Sequence, residues 1–230
     1  IGASVGIALG PADGATPDAL TQSADIALYA AKEAGRGSWR LFETEMKTRR
    51  QQRRDLELDL RRAVARGEFE VHYQPQVDAA TGAFTGAEAL VRWTHGERGN
   101  VPPSVFIPLA EELGIVAEIG EWVLRTACLQ NRQWAQQGLP PMRVAVNLSG
   151  YQFQQKTLLD TIRGILDETG LAPDFLELEI TESVIMQNPD FAVSVLNQLR
   201  DLGVHISIDD FGTGYSSLAH LKRFSVNTLK

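Results

Sequence analysis

Five polar residues sit toward the ends of stretches that are otherwise apolar. They are Glu88 in "GAEALVRW" (86–93), Asn147 in "MRVAVNLS" (142–149), Glu179 in "FLELEIT" (175–181), Asp209 in "VHISIDD" (204–210) and Lys230 in "VNTLK" (226–230). Carboxylate and amide oxygens are hard donors, suited to Mg2+, Mn2+ or Ca2+ rather than to zinc or copper. Carboxylates crowded together repel one another, and one or two divalent ions relieve that repulsion. Two ions about 4 Å apart can clamp a phosphodiester and generate a hydroxide nucleophile. Lys230 would then orient the attacking water or neutralise phosphate charge. Each residue alone has a plainer reading as a helix cap, a salt-bridge partner or, for Asn147-Leu148-Ser149, the cap of the helix that follows. Repetition at five strand ends is what argues for a site.

These residues need elements that bring them together. From residue 68 onward the pattern is strands alternating with helices, which implies parallel pairing in an α/β layer architecture. The strands are "FEVHYQPQV" (69–77), "FTGAEALVRW" (84–93) and the four apolar stretches from 142 onward. Helices are expected near 104–113, 118–137, 151–169, 190–202 and 214–222. Asn147, Glu179 and Asp209 recur about thirty residues apart, the size of one βα unit. An open doubly wound sheet fits this spacing too. A (β/α)8 barrel is favoured because the polar residues gather at C-terminal strand ends, where barrel active sites lie. Strand parity agrees: Glu88, Leu90 and Arg92 share one face, as do Ala145 and Asn147, Glu177 and Glu179, Ser207 and Asp209.

The stretch "IDDFGTGYSSL" (208–218) poses a separate problem, because adjacent residues of a regular strand face opposite ways. Asp209 and Asp210 cannot then enter one pocket together. The "FGTG" glycines invite a phosphate-loop reading, but the Gly-Lys-Ser/Thr that such a loop needs is absent. Of the four histidines, His72, His95, His205 and His220, no pair has metal-binding spacing, and His205 reads as core. His72 and Tyr73 precede Gln74-Pro75, where a side-chain amide near a strand end can meet a ligand. Trp93 reads as core.

Bulk properties set limits. The 230 residues are 43% hydrophobic and 22% charged, enough for a sizeable core. The net charge of −7 argues against a broad grip on a nucleic-acid polymer. No apolar run reaches the roughly 18 residues a membrane span needs. One cysteine, Cys128, excludes an internal disulfide and fits a reducing cytosol. Residues 1–42 read strand, helix, strand, with Thr16-Pro17-Asp18 starting the helix and Gly35 ending it. Residues 44–66 form a charge-dense helix with Leu56, Leu60 and Val64 four apart, a connector or a narrow partner face. Both chain ends fall within strand-like runs, so the expectation is a piece cut from a longer protein.

Taken in combination, "YQPQV" (73–77), "GAEALVRW", "AVNLSGYQF" (145–153), "LELEITES" (176–183) and "SIDDFGTGYSSLAHLKRF" (207–224) resemble the EAL-domain cyclic di-GMP phosphodiesterases over residues 68–230. Residues 1–43, with "ADIALYAAKEAGRGSWRLF", resemble the C-terminal part of a GGDEF (diguanylate cyclase) domain, and 44–67 then form a linker helix. The resemblance implies a modified (β/α)8 TIM-like barrel with an antiparallel first strand, truncated here at its C-terminal end and preceded by a fragment of an α+β domain. It implies hydrolysis of cyclic di-GMP to linear pGpG with one or two Mg2+ or Mn2+ ions. Glu88, Asn147, Glu179 and Asp209 match the metal ligands, and Asp210 a residue joining the second metal site. Lys230 matches the lysine near the catalytic water, and Glu182 the glutamate that steadies the loop after the aspartates. Gln74, Leu90 and Arg92 match substrate contacts. A homodimer through the EAL domain, a cytoplasmic location and possible membrane anchoring through upstream segments are also implied.

The chain departs from the family where Ser225-Val226-Asn227 replaces the usual Pro-Val-Asp. With later barrel strands beyond Lys230, the 230 residues alone are expected to be poorly stable or inactive. Two alternatives stand beside the phosphodiesterase. One is a catalytically silent EAL receptor for cyclic di-GMP, although every visible ligand is retained. The other is a different Mg2+ barrel enzyme, such as an enolisation catalyst, which leaves the paired aspartates unexplained.

Overall fold

The structure is a computed structural model that describes residues 2–35, 37–212 and 223–230. The chain divides into two compact units, residues 1–62 and 63–230. The division falls inside the segment expected to be a connector.

In the first unit, β1 (Val5–Ile7) pairs in parallel with β2 (Trp39–Leu41), and α1 (Pro17–Glu33) links them. The α1 start follows from its sequence: Thr16 Oγ1 accepts the Ala19 amide at 3.3 Å and Pro17 takes the first helical position. Gly6 permits close packing of β1 on α1, since a Cβ there would lie 2.0 Å from the Ala24 carbonyl oxygen. Helix α2 (Thr44–Ala63) carries (i, i+4) ion pairs, Arg49–Glu45 at 3.2 Å and Arg53–Glu57 at 3.3 Å. Of the expected stripe, Leu60 is fully buried.

The second unit is an α/β sheet with its helices between strands. Strand β3 (Phe69–Val77) pairs antiparallel with β4 (Phe84–His95), as does the short β5 (Gly99–Val101) with β4. From β4 the sheet continues in parallel through β6 (Arg143–Asn147), β7 (Leu176–Thr181), β8 (His205–Asp209) and β9 (Thr228–Leu229). Each parallel step needs a crossover, and helices supply it: α3 (Pro103–Glu112) and α4 (Val116–Gln136), then α5 (Gly150–Phe153) and α6 (Leu158–Thr169), then α7 (Glu182–Gln187) and α8 (Pro189–Asp201). Strands buried on both faces read as continuous apolar runs, and Val144, Leu178, Ile180 and Ile206 are at most 1% exposed. Around Trp93, the rings of Phe69 and Phe106 lie 5.9 and 5.7 Å away and close the β3–β4 end of the core.

Three expectations are corrected. The helix expected over 151–169 is two helices, because α5 ends after one turn and residues 154–157 turn before α6 begins. The β7–α8 connection contains an extra helix, α7. It stops at Asn188, whose backbone is non-helical (φ −149°) and whose side-chain Oδ1 instead caps α8 by accepting the Phe191 amide at 3.2 Å. His205 is half-buried rather than core. The helix expected over 214–222, and His220 with it, lies outside the described residues.

Candidate functional site

The site begins with strand register. In β3, the antiparallel direction places Gln74 opposite Glu88 and His72 opposite Leu90. In the parallel part, Glu88 pairs with Ala145, Asn147 with Glu179, and Glu179 with Ser207. The C-terminal ends of β6, β7 and β8 thereby neighbour the first half of β4, so Glu88 lies within its strand rather than at the C-terminal end expected. Asn147 Nδ2 donates to Glu88 Oε1 at 2.8 Å, tying the first two together.

Asn147 is free for that bond because the next helix has another cap. Ser149 Oγ accepts the Gln152 amide at 3.2 Å, and Gln152 Oε1 accepts the Ser149 amide at 3.3 Å, a reciprocal capping box. Gln152 in turn sits over Gly120, where a Cβ would come within 2.2 Å of its Nε2. The plainer reading of Asn147 as a cap therefore belongs to Ser149.

Glu179 is 2% exposed and Lys230 Nζ donates to its Oε1. The same ammonium lies 3.3 Å from Glu177 Oε1, which also accepts from the Ser207 hydroxyl. Burial raises the Glu179 carboxyl above its usual range, more than the Lys230 hydrogen bond lowers it, and the charges of Glu88 and Glu177 raise it further. Burial alone would lower the Lys230 ammonium, but its bonds and charges from Glu179 and Glu177 prevail and raise it. The two directions are compatible: one ammonium faces more than one carboxylate, so it stays charged while the acids remain crowded.

Strict strand alternation does not hold at Asp209-Asp210. Lys230 N–H donates to the Ile208 carbonyl at 2.8 Å, and the Lys230 carbonyl accepts from Phe211 N–H at 3.0 Å. A regular parallel ladder spans two residues between such bonds, whereas this one spans three, so an extra residue bulges out. Asp210 is left-handed (φ 55°), the one such non-glycine among the described residues. Its amide folds back onto Asp209 Oδ1 at 2.9 Å. The face alternation that set the two acids apart ends here.

The following glycine does not serve as a free phosphate donor. Gly212 (φ 91°) gives its N–H to Glu182 Oε2 at 3.0 Å, so Glu182, buried at the start of α7, grips the chain just past the aspartates. Leu90 and Arg92 border a largely apolar cavity of about 300 Å3, with Ile107, Val116, Asn147 and Thr181 among its walls. A space of that size is at the lower end for a small-molecule pocket. Arg92 is half-buried, and its Nη1 donates to the neighbouring Val91 carbonyl at 2.9 Å.

As the side chains stand, Glu88 is engaged by an amide and Glu179 by an ammonium. Among the described residues no three His, Cys, Asp or Glu side chains stand together so as to hold a metal ion. The donor chemistry nevertheless fits a hard divalent cation. Oxygen donors come together from three neighbouring strands in Glu88, Asn147 and Glu179, and the Glu179 carboxyl is raised partly by the like charges beside it. The residues that sequence reasoning left without a role are Glu177 and Ser207. Their signal was parity, since each precedes a candidate ligand by two positions and shares its face.

Fold and site together define an α/β-barrel-like domain with acids gathered on adjoining strands, beside a largely apolar cavity. The chain belongs to the EAL family: the EAL domain matches residues 57–230. Among curated relatives it is 47% identical over 230 residues to the bifunctional diguanylate cyclase/cyclic di-GMP phosphodiesterase MucR of Pseudomonas aeruginosa, covering all of this chain and 34% of that protein. It is 42% identical over 228 residues to the cyclic di-GMP phosphodiesterase NbdA of the same organism, covering 99% of this chain and 29% of that one. The chain thus spans about a third of these relatives. A solved PaMucR phosphodiesterase in complex with c-di-GMP is 47% identical with a TM-score of 0.74, over 76% of this chain and 71% of that one. No described helix is long and apolar enough to cross a membrane.

Proposed function

We propose that this chain carries the catalytic face of a divalent-metal phosphodiesterase that opens cyclic di-GMP to linear pGpG. The observation that supports this most is the convergence of Glu88, Asn147, Glu179 and Lys230 from strands of one sheet, in an EAL chain 47% identical to a relative named for that activity. Glu88, Asn147, Glu179 and Asp209 would hold one Mg2+ or Mn2+, and Asp210 would join in holding a second. When bound, such ions supply positive charge to the phosphodiester and to the water that attacks it.

The chain's own residues do the rest. Lys230, held as an ammonium, donates a hydrogen bond to the attacking water or to a phosphate oxygen. Arg92, Leu90 and Gln74 seat the substrate, the guanidinium facing phosphate and Leu90 contributing apolar wall. Water attacks phosphorus, the bond to the 3′ oxygen breaks, and the proton the water gives up ends on the leaving 3′ oxygen, so one water is consumed for each bond opened. The parallel β1–α1–β2 unit we assign to the end of a GGDEF domain, in keeping with the bifunctional relative.

The test is turnover of cyclic di-GMP by the full-length protein with Mg2+ or Mn2+, beside Glu88→Ala. We expect pGpG from wild type and a loss of more than about 100-fold in the variant, above the 10–100-fold typical of outer-shell changes. Tight binding without product in either metal would replace the enzyme with a receptor. Activity retained in Glu88→Ala would undo the ligand assignment.

A further inference from the structure

We infer that Glu177 is the positioning residue for Lys230, the carboxylate that keeps the ammonium aimed at the reacting phosphate while Glu179 is committed to a cation. This rests on the reading of Lys230 as the group beside the attacking water. Glu177 lies two residues before Glu179 on the same face of β7, one layer deeper in the sheet. It is 7% exposed, and a buried glutamate is rare unless partnered. Its partners come from the next two strands of the sheet: the Ser207 hydroxyl donates from β8, and Lys230 Nζ, just past β9, lies 3.3 Å away.

The geometry divides the labour between two carboxylates. Lys230 bonds both, but they are not equivalent. Glu179 stands level with Asn147 in the β6–β7 register, in the ring of strand-end donors. A cation held by Glu179 competes with the ammonium for that carboxylate, because both are positive. Glu177 stands below the ring, and Ser207, 1% exposed, fixes its orientation. It therefore remains with Lys230 when Glu179 does not. Without Glu177 the ammonium has only Glu179 to lean on, and it either competes with the cation or swings away.

Glu177→Gln tests this, because the amide keeps the shape and can still accept from Ser207. In the full-length protein with Mn2+, kcat should fall about 10–100-fold, the usual range for residues supporting a site's ligands, with KM for cyclic di-GMP unchanged. Against a Lys230→Ala background the same substitution should cost nothing more. Ser207→Ala should act in the same direction, more weakly. A wild-type kcat in Glu177→Gln overturns the inference, as does an undiminished loss in the Lys230→Ala background. A parallel fall of melting temperature, KM and kcat in both the Glu177 and Ser207 variants also overturns it, since that is a packing role.

A second readout does not need catalysis. Competitive acylation of amines in Mg2+, followed at Lys230 by mass spectrometry, should be several-fold faster in Glu177→Gln than in wild type. Equal rates overturn the inference. If wild type makes no pGpG, the phosphodiesterase reading fails while the acylation comparison still decides whether Glu177 holds Lys230.

Discussion

His205 shows how one residue's setting becomes a measurable property. It starts β8 half-buried, and burial first, then the nearby Arg143 charge, hold its imidazole below the usual value of 6.5. The folded state therefore binds fewer protons here than the unfolded chain. The neutral imidazole's contribution to stability is complete above pH 6.5 and is lost as pH falls through the lower folded value. His205→Gln removes that titration, so its stability should decline less steeply than wild type's below pH 6.5, read from urea unfolding across a pH series. Identical slopes would contradict it. Asp210 makes a complementary point: its type was legible, but its left-handed backbone arises only where β8 must keep pairing with Lys230 across an extra residue.

At the scale of elements, the short β9 carries a long responsibility. It has two ladder residues, yet it delivers Lys230 to Glu179 and Glu177. Asn227 secures it from below: its N–H donates to the Ile206 carbonyl at 2.8 Å, and its Oδ1 accepts from Ile206 N–H at 2.9 Å. This explains how asparagine serves where the family usually has aspartate, because the bond needs only a side-chain oxygen. Asn227→Ala should cost about 1 kcal/mol, the net worth of such a bond, whereas Asn227→Asp should cost much less. Urea midpoints of the two variants decide between this clamp and an incidental contact. The Ser149–Gln152 capping box marks where the expected 151–169 helix starts but not its split, since Thr157 before α6 makes no side-chain cap bond. The periodicity after residue 157 masked the break, because α6 buries Leu158, Ile162, Ile165 and Leu166 at helical spacing while α5 is too short to show a period.

For the whole molecule, the proposed ions should act on stability as well as chemistry. A ligand that binds only the folded state stabilises it by about 2.7 kcal/mol at a hundred times its dissociation constant. Adding Mn2+ should therefore raise the melting temperature of the full-length protein, and a chelator should reverse the gain. Glu88→Gln should blunt the shift. A melting temperature indifferent to Mn2+ in wild type would remove the cation from this site.

The sequence by itself determined the strand–helix alternation, the parity of the strand-end acids and the family, because these depend on local periodicity and residue type. The resemblance also supplied the antiparallel first strand and the Glu182 grip on the chain beyond Asp210, both of which have geometry here. Only the tertiary structure decided that Asn147 meets Glu88 while Ser149 caps the helix, and that Lys230 is shared between Glu179 and Glu177. The same is true of the bulge that frees Asp210 from strict alternation. Such contacts depend on stagger between strands about thirty residues apart, and periodicity within each strand carries no information about its offset from the next.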